Sequence, residues 1–157
     1  MKHIFLSTFF LLLSICLFAQ LNGKVVSIAD GDTFTLLTAD KRQVRVRLHG
    51  IDCPEKTQPW GNKAKEFTSE AIFGKTVSVQ EKDIDRYGRT IGMVTMPNGE
   101  ILNEALLKAG LAWHYTYYDI NPEWAVLEQI ARKQKLGLWK DSEPIAPWQY
   151  RRLGELH

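Results

Sequence analysis

The chain has 157 residues, a length that predicts one domain. Its hydrophobic content of 45% and charged content of 24% are ordinary for a globular protein, and it contains no repeat and no low-complexity segment. The net charge of +2 is too small to indicate a nucleic-acid partner by itself, so function has to be inferred from where the charges lie.

Residues 1–19 differ in character from the rest of the chain. A short basic start is followed by an almost wholly apolar run over residues 4–18, and Ala19 supplies a small residue at the expected cleavage point. This pattern predicts a signal peptide, a secreted or periplasmic protein, and no stable membrane association after cleavage. The run is short for a membrane span, which needs ~20 residues. A retained anchor and, through Cys16, a lipoprotein are the alternatives.

The sequence contains two cysteines, Cys16 and Cys53. Since Cys16 lies in the predicted signal peptide, the mature chain has one thiol and no internal disulfide. The remaining residues are numerous enough to bury an adequate core without one.

The first part of the mature chain alternates apolar and polar residues, which predicts three strands over residues 24–29, 33–38 and 44–49. Turn residues separate them. A helix is predicted over 60–73, ended by Gly74, and strands over 76–80 and 89–96 follow it. Two further helices are predicted over 103–109 and 121–135.

Five strands with one helix between the third and the fourth predict an OB-fold, a partly open five-stranded barrel. The fold class is therefore mainly β with α (α+β), a five-stranded barrel with three helices. One domain is predicted over residues 20–157, with a core at about 23–140. Pro144 and Pro147 predict an irregular tail over 141–157.

The turn after the third strand carries the main charge cluster. Gly50 and Pro54 end the strand and stiffen the corner that holds Asp52 and Glu55. Arg47, at the end of the strand, is a permanent cation that can hold a phosphate through two hydrogen bonds. Two carboxylates with an arginine can bind a hard cation and act on a phosphodiester. A surface salt-bridge cluster is the alternative.

Two other charged residues are predicted to face the same barrel rim. Asp32 shares the parity of Phe34 on the second strand. Arg89 shares the parity of Ile91 and Met93 on the fifth strand. The face of each strand therefore predicts that Asp32 and Arg89 point into a common site.

A second cluster, Asp85-Arg86-Tyr87-Gly88-Arg89, lies between the fourth and fifth strands. Tyrosine can stack on a base and arginine can neutralise a phosphate, so Arg86 and Tyr87 are candidate substrate contacts. An ordinary charged hairpin turn is the alternative.

Four segments in order resemble the staphylococcal-nuclease-like (thermonuclease) family: VVSIADGDT at 25–33, RLHGIDCPE at 47–55, DRYGR at 85–89 and NEALLKAGLA at 103–112. The resemblance covers about residues 23–140. It implies an OB-fold barrel and a calcium-dependent phosphodiesterase that acts on DNA and RNA as a monomer.

The resemblance also implies roles for individual residues. Asp32, Asp52 and the backbone carbonyl of Cys53 match the family's Ca²⁺ ligands, and oxygen ligands suit this hard cation. Glu55 matches the carboxylate that acts as general base or positions the attacking water.

Arg47 and Arg89 match the two arginines on the scissile phosphate, where they stabilise the extra charge of the transition state. Arg89 also lies where support of the leaving oxygen is expected. Tyr87 matches a nucleotide contact, and Tyr118 aligns with one of an aromatic pair of substrate contacts.

The sequence departs from the family pattern at three places. Cys53 stands where threonine is usual, and its soft thiol suits calcium poorly, so only its carbonyl is expected to bind. The loop over residues 56–60 is short. Thr116 stands at the other position of the aromatic pair, where Tyr115 or Tyr117 could substitute.

Two other classes of function are alternatives. A non-catalytic OB-fold module that binds nucleic acid would be expected to lack the acids and arginines, which are present here. A thiol enzyme using Cys53 lacks a matched histidine and asparagine. His49 and His114 are further acid–base candidates, and a structural role is favoured for His49.

Overall fold

The computed structural model describes residues 20–154. Strands are numbered here in chain order. Those of a closed barrel are β1 (Gln20–Ile28), β2 (Thr33–Thr38), β3 (Gln43–Leu48), β5 (Thr76–Ile84) and β6 (Thr90–Thr95). Two short strands, β4 (Ile51–Asp52) and β7 (Trp113–His114), pair with each other outside the barrel.

The barrel has the strand order β1-β2-β3-β6-β5 and closes through pairing of β1 with β5. All neighbours are antiparallel except β3 and β6, which run parallel with Val46 opposite Thr90. Alternate residues of the strands, such as Phe34, Val46 and Val94, are fully buried and fill the interior. The prediction of a five-stranded OB-like barrel in an α+β fold is confirmed.

The helices are α1 (Gly61–Ile72), α2 (Leu102–Lys108), α3 (Pro122–Lys133) and α4 (Pro147–Gly154), with a 3₁₀ turn at Gly137–Lys140. The first three correspond to the predicted helices. The prediction of an irregular tail over 141–157 is wrong for residues 147–154, which form α4. Pro147 starts this helix, a position where its fixed φ is favourable and its missing N–H costs nothing.

Helix α1 begins directly against the loop that carries Glu55. A Cβ atom at Gly61 would lie 1.9 Å from the backbone oxygen of Glu55, so only glycine allows this approach. One face of α1, including Ala64 and Thr68, is buried, and the Thr68 hydroxyl donates to the carbonyl of Gly31 at 2.5 Å. The helix thereby supports the backbone just before Asp32.

The turn between β3 and β4 depends on Gly50, whose φ of +64° favours glycine. A Cβ atom there would lie 2.6 Å from the Cβ of Asp119. Pairing of Asp52 with Trp113 across β4 and β7 then fixes the corner that follows. The predicted stiff corner is present, and it turns Asp52 back toward β3.

The interior face of β6 differs from the predicted one. Thr90, Gly92 and Val94 are buried inside the barrel, so Arg89, Ile91 and Met93 share the outer face. Strand parity therefore does not place Arg89 on the interior face that carries Phe34, which was the reason for predicting Arg89 at the same rim as Asp32. Met93 is apolar because it also packs, partly buried, against the core, so the apolar pattern did not distinguish the two faces.

The predicted signal peptide, residues 1–19, lies outside the described residues. Within residues 20–154, no helix has the length and apolar character to cross a membrane.

We predict that Asn103→Ala lowers the free energy of unfolding by about 2–4 kcal/mol. The buried Asn103 side chain accepts from the Val94 amide at 3.1 Å and donates to the His49 carbonyl at 3.0 Å, joining α2 to the barrel. The substitution leaves both backbone groups unpaired. Urea unfolding of Asn103→Ala and of the exposed turn variant Asn98→Ala measures the effect. Equal losses in both variants would contradict this role.

Candidate active site

Arg47 joins two buried carboxylates at one rim of the barrel. Its guanidinium donates through Nη1 to Asp32 Oδ1 and through Nη2 to Asp52 Oδ1, the latter at 2.7 Å. Asp32 lies just before β2, Arg47 in β3 and Asp52 in β4. The hairpin between β2 and β3 and the Gly50 turn thus bring three distant charges into one cluster.

Burial raises the pKa of Asp32 to about 6, and the nearby charge of Asp30 adds to the rise. Arg47 opposes this increase, and the backbone N–H of Cys53, which donates to Asp32 Oδ2 at 2.7 Å, also favours the charged form. The charged form of Asp32 therefore depends on positive charge beside it.

Burial acts to lower the pKa of Arg47, but the charges of Asp32 and Asp52 outweigh it and the pKa is raised. The guanidinium is a permanent cation in this site. One permanent cation thus balances part of the charge of two buried acids.

The same acids fit a hard divalent cation. Asp32 and Asp52 both bind the Arg47 guanidinium, each through a different nitrogen, and present oxygen atoms, the ligand type that calcium prefers. In the part of the chain described, no three side chains of His, Cys, Asp or Glu form a metal-binding group. A cation here would therefore need backbone or water oxygens as well, and the carbonyl of Cys53 remains the predicted protein ligand.

Glu55 lies beside Asp52, and a residue that sequence analysis missed connects them. Arg151 of α4 donates to Glu55 Oε1 at 2.6 Å and to Asp52 Oδ2 at 2.8 Å. The two arginines in the segment 148–152, placed one helical turn after Pro147, were the available signal for a helix that presents basic residues.

The turn that carries Arg89 is held by Asp85. Its Oδ1 accepts the backbone N–H groups of Tyr87 and Arg89, both at 2.9 Å, and its Oδ2 accepts Arg89 Nε at 2.7 Å. Burial opposes ionisation, but these hydrogen bonds outweigh it and lower the pKa of Asp85. Asp85 therefore fixes the position of Arg89 at the mouth of the site.

Arg86 and Tyr87 form an exposed pair on the same turn. The Arg86 guanidinium lies 4.8 Å from the centre of the Tyr87 ring, and its Nη2 donates to the Tyr87 hydroxyl at 2.6 Å. Tyr87 is 68% exposed, so its ring is accessible to a ligand.

The tyrosine-rich segment supplies two rings to the site. Tyr115 stacks on Trp148 of α4, with ring centres 4.7 Å apart, and Tyr118 meets the edge of Tyr115 at 5.0 Å. Both tyrosines line the cleft beside the carboxylates. Of the two alternatives left open by the sequence, Tyr115 lines the cleft with Tyr118, while Tyr117 also meets the edge of Tyr118 at 4.9 Å. A substrate contact by any of these tyrosines stays a prediction.

A cleft of about 580 Å³ brings together the candidate catalytic residues Arg47, Glu55 and Arg89 and the candidate substrate contacts, while the buried Asp32, Asp52 and Cys53 are not part of its lining. Its lining includes Glu55 and four aromatic side chains, Tyr87, Tyr115, Tyr118 and Trp148. Five arginines also line it: Arg47, Arg86, Arg89, Arg151 and Arg152. A second cavity of about 360 Å³ shares Arg47, Arg89, Tyr115 and Tyr118 with the cleft. The surface is basic and aromatic, as a nucleic-acid strand requires.

The Cys53 thiol and the rings of the two candidate histidines make contacts within the protein that account for them without a catalytic role. The Cys53 thiol is buried, and burial raises its pKa well above its usual range, which argues against a thiolate nucleophile. His49 and His114 each pair with a different carboxylate oxygen of Asp119 at 3.1 Å. Their shared partner ties the Gly50 turn to β7, a structural role.

The protein is a closed barrel with buried carboxylates and an arginine-lined cleft at its rim. Proteins of this class are suited to holding a phosphodiester beside a cation. The sequence model for staphylococcal nuclease homologues matches residues 45–141, and the chain belongs to this family. The predicted resemblance is thereby confirmed.

Curated relatives agree with this assignment. The chain is 42% identical over 133 residues to an uncharacterized endonuclease of Escherichia coli O157:H7, covering 85% of this chain and 86% of that protein. It is 38% identical over 152 residues to the micrococcal nuclease of Shigella flexneri, covering 90% and 87%. An uncharacterized endonuclease of Haemophilus influenzae is 39% identical over 143 residues, covering 91% and 80%.

We predict that Cys53 of the folded protein reacts with a thiol reagent at pH 8 at least about tenfold more slowly than in the urea-unfolded chain, because burial blocks access and disfavours the thiolate. Absorbance at the release of the reagent's chromophore gives both rates. The Cys53→Ser variant supplies the background that does not come from Cys53. Equal rates in the two states would show that the Cys53 thiol is accessible and ionised.

Proposed function

We propose that the protein is a calcium-dependent nuclease that hydrolyses DNA and RNA, exported after cleavage of residues 1–19 and active as a monomer. Family membership and relatives named endonuclease and micrococcal nuclease make it a hydrolase of phosphodiester bonds. The observation that carries the finer proposal is the convergence of Asp32, Arg47 and Asp52 at the edge of an arginine-lined cleft.

The arginines and aromatic rings account for substrate binding. Arg47 and Arg89 line the same cleft and can each hold phosphate oxygens through paired N–H groups. Arg86 supplies further positive charge, while Tyr87 and Tyr118 offer exposed rings on which bases can stack. These contacts recognise the backbone and the base planes of either nucleic acid.

The carboxylates account for the cation. Asp32 and Asp52, with the Cys53 carbonyl, would hold Ca²⁺, which when bound neutralises charge on the phosphate. Asp32 needs positive charge beside it to remain ionised while buried, so its environment favours cation binding. The stiff β4–β7 corner holds Asp52 in place with little freedom to move.

Glu55 and the two arginines account for the chemical step. Glu55 removes a proton from water as that water attacks phosphorus. Arg47 and Arg89 stabilise the charge that grows on the phosphate oxygens in the transition state, and Arg89 supports the leaving oxygen. Asp85 holds Arg89 so that little reorganisation is needed when that charge develops.

Digestion of single- and double-stranded DNA and RNA with calcium, followed by analysis of the product ends, tests the proposal. A non-catalytic binding module would retain nucleic acid without cleaving it.

We predict that chelation with EDTA abolishes cleavage and that added calcium restores it. Magnesium should restore it poorly, because it demands tighter octahedral geometry than a site built from two carboxylates supplies. Product formation on a gel, in buffers that contain each ion separately, measures the effect. Full activity in EDTA would exclude a role for any divalent cation.

We predict that Glu55→Gln and Arg89→Lys each lower the calcium-dependent cleavage rate by at least about a hundredfold, with a smaller effect on substrate affinity. The first change removes the proton acceptor. The second keeps the charge and removes the planar guanidinium. Single-turnover kinetics and DNA binding separate rate from affinity.

Matched variants exist away from the cleft. Glu66→Gln alters an exposed acid paired with Lys63, and Arg42→Lys alters an exposed arginine paired with Asp40. Both should cleave at the wild-type rate. Circular dichroism establishes that all variants fold. Near wild-type cleavage by folded Glu55→Gln or Arg89→Lys would remove that residue from its assigned role.

A further inference from the structure

Arg151 makes a three-point contact with the two acids that the proposed mechanism uses most directly. Nη2 lies 2.8 Å from Asp52 Oδ2, and Nη1 lies 3.3 Å from Asp52 Oδ1 and 2.6 Å from Glu55 Oε1. The guanidinium therefore spans both carboxylates. Burial acts to lower its pKa, but hydrogen bonds and charge from Asp52 and Glu55 raise it.

Helix α4 is held beside the cleft by contacts that do not involve Arg151. Trp148 stacks on Tyr115 and meets the edge of Trp113 at 5.6 Å. The Tyr150 hydroxyl donates to the Thr57 carbonyl at 3.3 Å. The fold thus delivers Arg151 to the carboxylates.

The hydrogen bonds of the two aspartates show what Arg151 occupies. Asp32 uses Oδ1 for Arg47 and Oδ2 for the Cys53 N–H. Asp52 uses Oδ1 for Arg47 and, at 3.3 Å, for Arg151, and it uses Oδ2 for Arg151. A divalent cation needs carboxylate lone pairs, and Arg151 holds the Asp52 oxygen that Arg47 leaves over.

We propose that Arg151 is a built-in competitor of the divalent cation: its guanidinium occupies Asp52 and Glu55 in the cation-free protein, and calcium binds by displacing it. The proposal rests on the proposed function, since it takes Asp52 as a calcium ligand and Glu55 as the base.

The competition has a physical reason. Asp52 is fully buried, and a buried carboxylate without enough positive charge beside it is strongly destabilising. Arg151 supplies that charge until a cation arrives. Its own side chain is 40% exposed and borders the cleft, so it can leave while α4 stays docked.

Displacement would couple two events. The same movement that opens Asp52 to calcium releases Glu55 from its bond to Arg151. The base therefore becomes available for water only when the cation site is filled. The apparent dissociation constant for calcium equals the intrinsic one divided by the fraction of molecules in which Arg151 has left the site.

Calorimetric titration of the purified protein with calcium tests the proposal without reference to activity. Arg151→Gln should bind calcium at least about tenfold more tightly than wild type, a difference of about 1.4 kcal/mol. Arg151→Lys should give an intermediate affinity, because it retains charge and loses the fork that spans both acids.

Arg152→Gln is the matched control. Arg152 is the next residue of α4, carries the same charge, and donates to the Trp148 carbonyl rather than to an acid. Its removal should change calcium affinity about twofold or less, the scale of a screened surface charge. Circular dichroism of each variant establishes folding, and Arg151→Lys carries the test should Arg151→Gln unfold.

If Arg151→Gln and Arg152→Gln bind calcium more tightly by the same factor, the effect is one of overall charge, and the proposal is overturned. Weaker calcium binding by Arg151→Gln would also overturn it and make Arg151 a residue that positions the ligands. Nuclease activity of wild type at saturating calcium is measured separately. If wild type cleaves nucleic acid but Arg151→Gln binds calcium no more tightly, only the competition proposal is wrong. If wild type does not cleave at saturating calcium, the proposed function is wrong.

Discussion

The burial of negative charge around Arg47 is the constraint on which the rest of the site depends. Asp32 and Asp52 are removed from water, and such charges persist only beside positive charge or a cation. The barrel provides this by ending β3 with Arg47 and turning sharply at Gly50, so that Asp52 returns to the same guanidinium. The surrounding arginines then extend the positive surface into the cleft. In the proposed function, Arg47 thus serves both to bind phosphate and to retain the buried acids.

Rigidity and mobility are divided between two groups of contacts. The Asp85 carboxylate accepts two hydrogen bonds from Arg89 and one from the Tyr87 backbone, and the β4–β7 pair fixes Asp52. The groups that would meet the phosphate and the cation are therefore preorganised. Glu55 and Arg151 are more exposed and are held by one another. Freedom to move therefore lies at the contact that, in our proposal, Arg151 leaves when a cation binds.

Local patterns were sufficient to predict the barrel and the cluster of Asp32, Arg47 and Asp52, because alternation and a short turn determine which of these residues meet. The outer position of Arg89 was not predictable, since Met93 on its face also packs against the core. Arg151 was missed for a different reason: its contact with Asp52 joins residues 99 apart in sequence, and no local period reports such a contact. Pro144 and Pro147 are sequence signs of an irregular tail, but Pro147 is the first residue of α4.

The parallel pairing of β3 with β6 has a consequence for folding. Every other barrel pair is antiparallel, and this one joins Val46 to Thr90 across α1 and β5. Contacts between residues so distant in sequence form late and slowly, because loop closure has to precede them. Arg47 lies in this seam and Arg89 borders it. The two arginines that we propose bind phosphate therefore come to the same cleft only when the barrel closes. On that proposal, a partly folded chain has no assembled site with which to cut nucleic acid.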